Sequence, residues 1–528
     1  MVRLKKSFRF FGYLTKPLLN LQRTGYLPVP NSFGGPVPSW TQNQPAERES
    51  SSNNRDVKSL CLIDSPHNES NIMDRGLFNI ILMGISFLLI FTAFQTGAII
   101  QKNVVQAINS EYNKAWNGKE WNAYNSLAIL YAVFSLANWI APSTVALLGP
   151  KVSMILSALT YCFFVANFLH PVLYGLTSAS IIMGVGAGVI WTAQGNFLTI
   201  NSNHENISRN TGIFWCLFQG SLLFGNIFVY FQFQGQENID SRTRTITYTV
   251  LTSAALLGTF LLCFLRKVEP SSSSSSKKST GPLEAICNSF KLLKTEKMML
   301  LCLVFFYTGL EISFYSGIYS ASIGFVTSLG KDRTKYAGIS GILIGAGEII
   351  GGAAFSIFGK RTLKCGRDSI IFLGYLLHMI SFAAIYINMP PDASIQETSQ
   401  LAYIPTSLTI ALACSFLLGL GDSCFNNIIN SLIGSVYQED SSPAFAIFKF
   451  IQSLATAMAF FYSNYITIDI HMYILSTFAT IGTLAFFAVE RTSKIEKAGS
   501  TSSISEPPSA GKPKHLQSID SQITLVVD

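Results

Sequence analysis

Twelve runs of mostly apolar residues dominate this 528-residue chain, each near the roughly 20 residues a helix needs to cross the hydrocarbon core of a bilayer. They fall at 77–100, 124–147, 152–169, 172–198, 213–233 and 245–265, and after a long polar interruption at 298–320, 336–358, 369–388, 407–433, 443–465 and 471–489. In lipid a backbone amide has no water to bond, so a lone crossing segment must satisfy its own backbone and becomes a helix. The sequence therefore predicts an all-α membrane protein with twelve transmembrane helices in two six-helix bundles, and the lipid bilayer as its first partner. Composition agrees: 12% of residues are charged, about half the share in an ordinary soluble protein.

Orientation follows from the basic residues, which stay on the inner side. With the amino terminus inside, inner segments hold 28 Lys and Arg, outer loops hold 8, and Lys449 is left inside a span, completing the 37. Both termini and the central interruption are predicted cytoplasmic, which leaves plasma membrane and endomembrane equally open. The domain plan is a basic, disordered arm at 1–76, six spans over 77–265, a cytoplasmic linker at 266–297, six spans over 298–489 and a disordered tail at 490–528. The arm's basic tip admits two readings, a segment touching anionic lipid or a mitochondrial address. Within the linker, a serine run at 271–276 precedes Leu283, Ile286, Phe290 and Leu293 on one helical face with Lys291, Lys294 and Lys297 interleaved. That pattern suits an amphipathic helix in the membrane surface or a helical extension of span seven.

The net charge of +8 does not describe a nucleic-acid surface, because Lys and Arg gather in tails and loops. None of the nine cysteines falls in a predicted exterior loop and no CxxC pair occurs, so neither a disulfide framework nor a metal site is expected. No cofactor motif is present; GVGAG at 184–188 lies inside an apolar helix with no strand before it. No nucleophile and base arrangement suggests an enzyme.

A charged side chain at a helix centre costs about 2.5 to 3.5 kcal/mol on the insertion scale, so each needs a reason to be there. Four stand out: Glu311 in span seven, Glu348 in span eight, Asp422 in span ten and Lys449 in span eleven. Glu348 shares a helical face with Gly341, Gly345 and Gly352, Asp422 with Ser415, Gly419 and Asn426, and Lys449 with Gln452, Ser453 and Thr456. Such faces look towards other helices or water. They are candidates for a transport pathway that binds a cation or exchanges a proton; otherwise they fix helix register through pairing. Spans ten and eleven are consecutive, so Asp422 is the first choice of partner for Lys449, with Glu311 and Glu348 as alternatives. The first half offers uncharged candidates for lining a cavity: Gln95, Asn138, Trp191 and Gln194, with Asn426 as their counterpart in the second half. His378 stands alone in span nine and reads as a packing residue.

Six spans, a long inner linker and six more spans resemble the major facilitator layout, whose halves are repeats. More specific strings extend the likeness: FTAFQTG at 91–97, WTAQGNFLTINS at 191–202, RNTGIFW at 209–215, YTGLE at 307–311, LLGLGDSCFN at 417–426 and PAFAIFKFIQS at 443–453. Together they resemble the uncoordinated-93-like branch of that superfamily, over nearly the whole membrane part. The resemblance implies a cavity lined by spans one, four, seven and ten, with three, six, nine and twelve outermost. Gln194 stands where many proton-coupled members of the superfamily carry an arginine, a departure that weighs against proton coupling.

Two functions remain open. One is a secondary transporter of an unknown small solute or ion, working by alternating access. The other, which the resemblance implies, is a non-transporting partner that regulates or escorts a channel or receptor.

Overall fold

The structure is a computed structural model that describes residues 66–202, 206–235, 239–266, 282–437 and 441–504. Most of the expected amino-terminal arm, the serine run of the linker and the end of the tail lie outside these residues. Among the described residues the chain is almost wholly helical. Eleven helices are long and apolar enough to cross a membrane, and a twelfth, Pro150–Ala166, is shorter at 17 residues.

Spans one to six are Pro66–Tyr112, Ala123–Leu148, Pro150–Ala166, Gly175–Ile200, Ile207–Gln232 and Ser241–Leu262. Span seven is composite: Glu296–Ser313, a π-helical turn at Phe314–Tyr319 and a final piece, Ser320–Phe325. Spans eight to twelve are Arg333–Cys365, Arg367–Asn388, Leu408–Val436, Ser441–Tyr462 and Ile468–Ile504. Local chemistry sets several ends. Asn122 caps span two by accepting from the Asn125 amide at 2.9 Å, and Asp240 caps span six by accepting from Thr243 at 2.8 Å, each satisfying a donor the helix leaves open. Gly149, at φ 79°, closes span two in a conformation that favours glycine, and Pro150 opens span three.

Three elements differ from their sequence outlines. Span one continues to Tyr112 because its polar end is satisfied by protein: Gln101 donates to the Ala123 carbonyl and Ser126 hydroxyl, and Asn109 to the Trp121 carbonyl. Span twelve stays helical through Ile504, into the segment expected to be a disordered tail. There Glu490 lies 2.9 Å from Arg367, and Lys494 2.6 Å from Asp368. In the linker, Pro282–Leu293 is a separate helix, and a turn at Lys294 and Thr295 divides it from span seven. It packs on spans two and eleven, with Phe290 stacked on Trp139 at 5.1 Å.

Each set of six spans packs chiefly on itself: one with five and six, four with two and three, ten with eight and nine, seven with eleven and twelve. The halves join where span two meets eleven and five meets eight. Lipid gives helices no hydrophobic reason to associate, so close approach depends on small residues. A Cβ on Gly184 would meet the Leu130 carbonyl at 2.6 Å, and one on Gly419 the Ile344 carbonyl at 2.1 Å. Gly419→Val should therefore cost on the order of 1 to 3 kcal/mol by overpacking, read as a loss in unfolding of the detergent-solubilised protein. Gly434→Ala, where a Cβ meets nothing within 4 Å, should cost nothing. Equal stability of the two variants would refute the packing account.

Candidate functional site

The four charged candidates named from the sequence, Glu311, Glu348, Asp422 and Lys449, all belong to the carboxy-terminal half, and glycines bring their helices together. Gly347 of span eight lies against the Phe416 carbonyl, Gly351 against Ser423, and Gly309 of span seven against the Gln452 carbonyl, each too close for a Cβ. The contacts leave Glu311, Glu348 and Asp422 buried and Lys449 partly buried.

A string of hydrogen bonds runs through the cluster. Lys449 Nζ donates to Gln452 Oε1 at 2.9 Å. Gln452 Nε2 donates to the Thr308 hydroxyl at 3.1 Å and, more weakly, to Asn426 Oδ1 at 3.4 Å. Asn426 Nδ2 donates to Asp422 Oδ1 at 2.7 Å. Among the described residues no carboxylate lies within ion-pair distance of Lys449; its ammonium sits 4.6 Å from the centre of the Phe448 ring. The expected partner Asp422 is thus reached through two amides. Lys449 lies nearer the end of its helix, and Gln452, one turn further in, spans the difference in depth.

Glu311 and His378 make a second group. Nε2 of His378 is 2.8 Å from Glu311 Oε1, without the alignment of a hydrogen bond. The same nitrogen lies 3.1 Å from the Leu418 carbonyl, and Nδ1 lies 2.6 Å from the Tyr307 hydroxyl. His378 thus enters the charged cluster from span nine. The sequence reading of His378 as a packing residue leaves out its neighbour Glu311; the available signal is the spacing of Tyr307 and Glu311, which places them on one helical face. Glu348 has Tyr315 and, from span five of the other half, Gln219 as its polar neighbours.

The uncharged candidates of the first half are dispersed. Gln95 accepts a hydrogen bond from Ser221. Asn138 is half-buried, and its amide nitrogen finds no hydrogen-bond partner among the described residues. Gln194 is buried one turn from Trp191. Trp191 is the hub of an aromatic cluster, with Phe87, Phe91, Trp215 and Phe218 at 5.1 to 5.9 Å. Gly184 and Gly188 are packing sites against span two.

Polar contacts join the halves on the face away from the linker, and on the linker side Trp139 of span two meets Phe450 of span eleven at 5.3 Å. Asn464 donates to Asn125 at 2.8 Å, Tyr124 to the Ser394 carbonyl at 3.1 Å, and the Gly235 amide to Asp332 at 3.1 Å. Lys335, hydrogen-bonded to Asp332, holds that exposed carboxyl below its usual range. Towards the linker face, Asn196 of span four and Asn430 of span ten are exposed.

A family profile described as ion channel regulatory protein UNC-93 matches residues 118–487. The chain belongs to the UNC-93 family. It is 41% identical to UNC93-like protein MFSD11 of Xenopus laevis over 79% of this chain and 96% of that protein. It is 28% identical to UNC93-like protein 3 of Arabidopsis thaliana, over 74% of this chain and 80% of that one. Among solved structures, the nucleoside transporter NupG aligns with a TM-score of 0.56 at 10% identity, over 78% of this chain and 98% of that chain. A POT family transporter in complex with 5-aminolevulinic acid also aligns at 0.56, with 13% identity, over 79% and 96%. At such identities the likeness is one of fold. This UNC-93 family member is therefore a transporter-like, multi-pass membrane protein.

In it, Gln452→Leu should cost about 1 to 3 kcal/mol by leaving the Lys449 and Asn426 polar groups short of a partner. The coupling of Asp422 to Lys449 in a double-mutant cycle should fall towards zero in that background. Coupling unchanged by Gln452→Leu would show that the amides carry none of it.

Proposed function

We propose that the protein is a secondary transporter of a small solute or ion, working by alternating access. The observation that carries this reading is the charged cluster of the second half, whose Glu348 faces Gln219 of the first. A ligand held between the halves would meet carboxylates on one side and neutral amides on the other, at the depth where transporters of this fold bind cargo. The contacts of Asn464 with Asn125 and of Tyr124 with the Ser394 carbonyl support closure beside span two on the face away from the linker, while a cavity of about 470 Å³ lies between the halves on that same face, lined by Asn103, Glu111, Gly324 and Thr334. Two acids, Glu348 and Asp422, against one lysine favour a cargo with positive charge.

Both termini and the linker lie in the cytosol in this reading, supported by the 28 to 8 distribution of basic residues. Tags at either terminus or within 271–276 should be reachable only after permeabilisation. Labelling of any of them from outside intact cells, with the protein at the surface, would overturn the topology.

A second reading, a regulatory or escorting partner of a channel or receptor, is favoured by the description of the family profile. Purified protein separates the two. Cationic, zwitterionic and neutral solutes are screened for thermal stabilisation, since a ligand stabilises the state it binds, and then for flux in liposomes. With a solute so found, a short thiol cross-link between Asn125→Cys and Asn464→Cys should hold the closed face shut and abolish flux until reduced. Flux unaffected by the cross-link would contradict alternating access at this face. A panel that neither stabilises the protein nor moves would favour the regulatory reading.

A further inference from the structure

Charge in the second half divides by access. Glu348 faces Gln219 across the interface between the halves, whereas Glu311 is enclosed within the second half beside His378. It is fully buried, and neither carboxyl oxygen has a hydrogen-bond partner among the described residues. Its neighbour His378 is also fully buried, its ring stacked at 5.4 Å on Phe425 and at 5.7 Å on Phe382. Room for that ring comes from Gly421, where a Cβ would stand 2.2 Å from His378 Nε2.

The hydrogen-bond partners count the protons. A backbone carbonyl only accepts, so the 3.1 Å contact to Leu418 requires a hydrogen on Nε2 of His378. At Nδ1 the Tyr307 hydroxyl donates when the imidazole is neutral and accepts when it is cationic, so the ring takes on or gives up one proton with no heavy atom moving. Two arrangements are neutral overall: a carboxylic acid beside neutral imidazole, or a carboxylate beside imidazolium. Remove one proton from either, and a fully buried carboxylate remains beside neutral imidazole, which is strongly unfavourable unless the enclosure opens. The enclosure has a place to give: the π-helical turn Phe314–Tyr319 begins three residues after Glu311, and such turns are frequent at functional sites. Tyr315 of that turn neighbours Glu348, so a shift at Glu311 is felt at the interface.

We propose that Glu311, His378 and Tyr307 form an enclosed proton-binding site, separate from the Asp422 to Lys449 string, that holds one proton when closed and releases it when the surrounding helices open. On release the proton leaves the Glu311 carboxyl or the His378 imidazolium, and the site becomes a carboxylate beside neutral imidazole. As the carrier of a coupling proton it deepens the transport reading and rests on it; as a titrating site it does not. The groups facing it are Asp422 and Cys424 from span ten, Glu348 from span eight, Tyr375 from span nine and Tyr315 from span seven, with Lys449 of span eleven beyond Asp422. Span twelve brings His471 against Phe314, one turn beyond.

The test is infrared difference spectroscopy of the carboxyl stretch during a pH titration of the full-length protein in lipid nanodiscs. Glu311→Gln should remove one titrating component. Tyr307→Phe deletes a single hydroxyl and keeps the ring, and it should move the midpoint of that component by about one pH unit, the worth of one hydrogen bond. Carboxyl spectra identical in wild type and Glu311→Gln would overturn the proposal. Should Glu311→Gln fail to fold, an unmoved midpoint in Tyr307→Phe would overturn it equally. Because the readout is equilibrium protonation, a Glu311 signal without solute flux would leave the site standing and end the transport reading; flux without the signal would do the reverse.

Discussion

Spans eight and ten lie backbone against backbone: Gly347 faces the Phe416 carbonyl and Gly419 the Ile344 carbonyl, at distances that no side chain would permit. Between helices in lipid, such contact replaces the hydrophobic drive that holds a soluble core. It also decides the electrostatics. Glu348 and Asp422 ride on the two helices so joined, and Gly309 brings span seven, with Glu311, up to span eleven, with Lys449. A side chain at any of these glycines would wedge the helices apart and let lipid or water between the charged groups. The charged cluster is thus a product of packing by the smallest residue.

The cluster is satisfied by amides and hydroxyls more than by direct ion pairing. A buried pair with one member removed leaves an uncompensated charge, whereas a chain through Gln452 and Asn426 spreads the interaction over several weaker bonds. Weak bonds suit a site that changes partners. The first half, built on aromatic contacts around Trp191, offers no comparable redundancy. Asymmetry of this kind fits a family whose fold resembles transporters at 10 to 13% identity, where the shared scaffold says little about the chemistry carried.

Much of this was legible in the sequence, because the spacing of apolar runs is a direct consequence of bilayer thickness. Span nine was read at 369–388 and is Arg367–Asn388; span two was read at 124–147 and is Ala123–Leu148. The reading failed where protein stood in for lipid. Gln101 and Lys102 end an apolar run, yet the helix continues, since Gln101 bonds to span two and Lys102 lies 4.8 Å from the centre of the Tyr124 ring. The intramembrane charges announced themselves by their cost. Their partners did not, because pairing depends on relative depth and tilt, which periodicity does not encode. Gln219 beside Glu348 and the closeness of His378 to Glu311 were invisible for that reason, and nothing in the composition of FYSGIY marks it as a π turn.

That wide turn gives span seven two independently phased parts. The lower carries Tyr307 and Glu311, while the upper ends at Phe325, with Gly324 set against Asn103 of the first half near the face where the halves are joined. A straight α-helix would lock the azimuth of one part to that of the other, so any adjustment around the acid would twist the joined face as well. With a slack turn between them, the chemistry of the lower part is free to diversify while the joined face keeps its fit. Span seven thus changes phase at the turn, between the acid on one side of it and the joined face on the other.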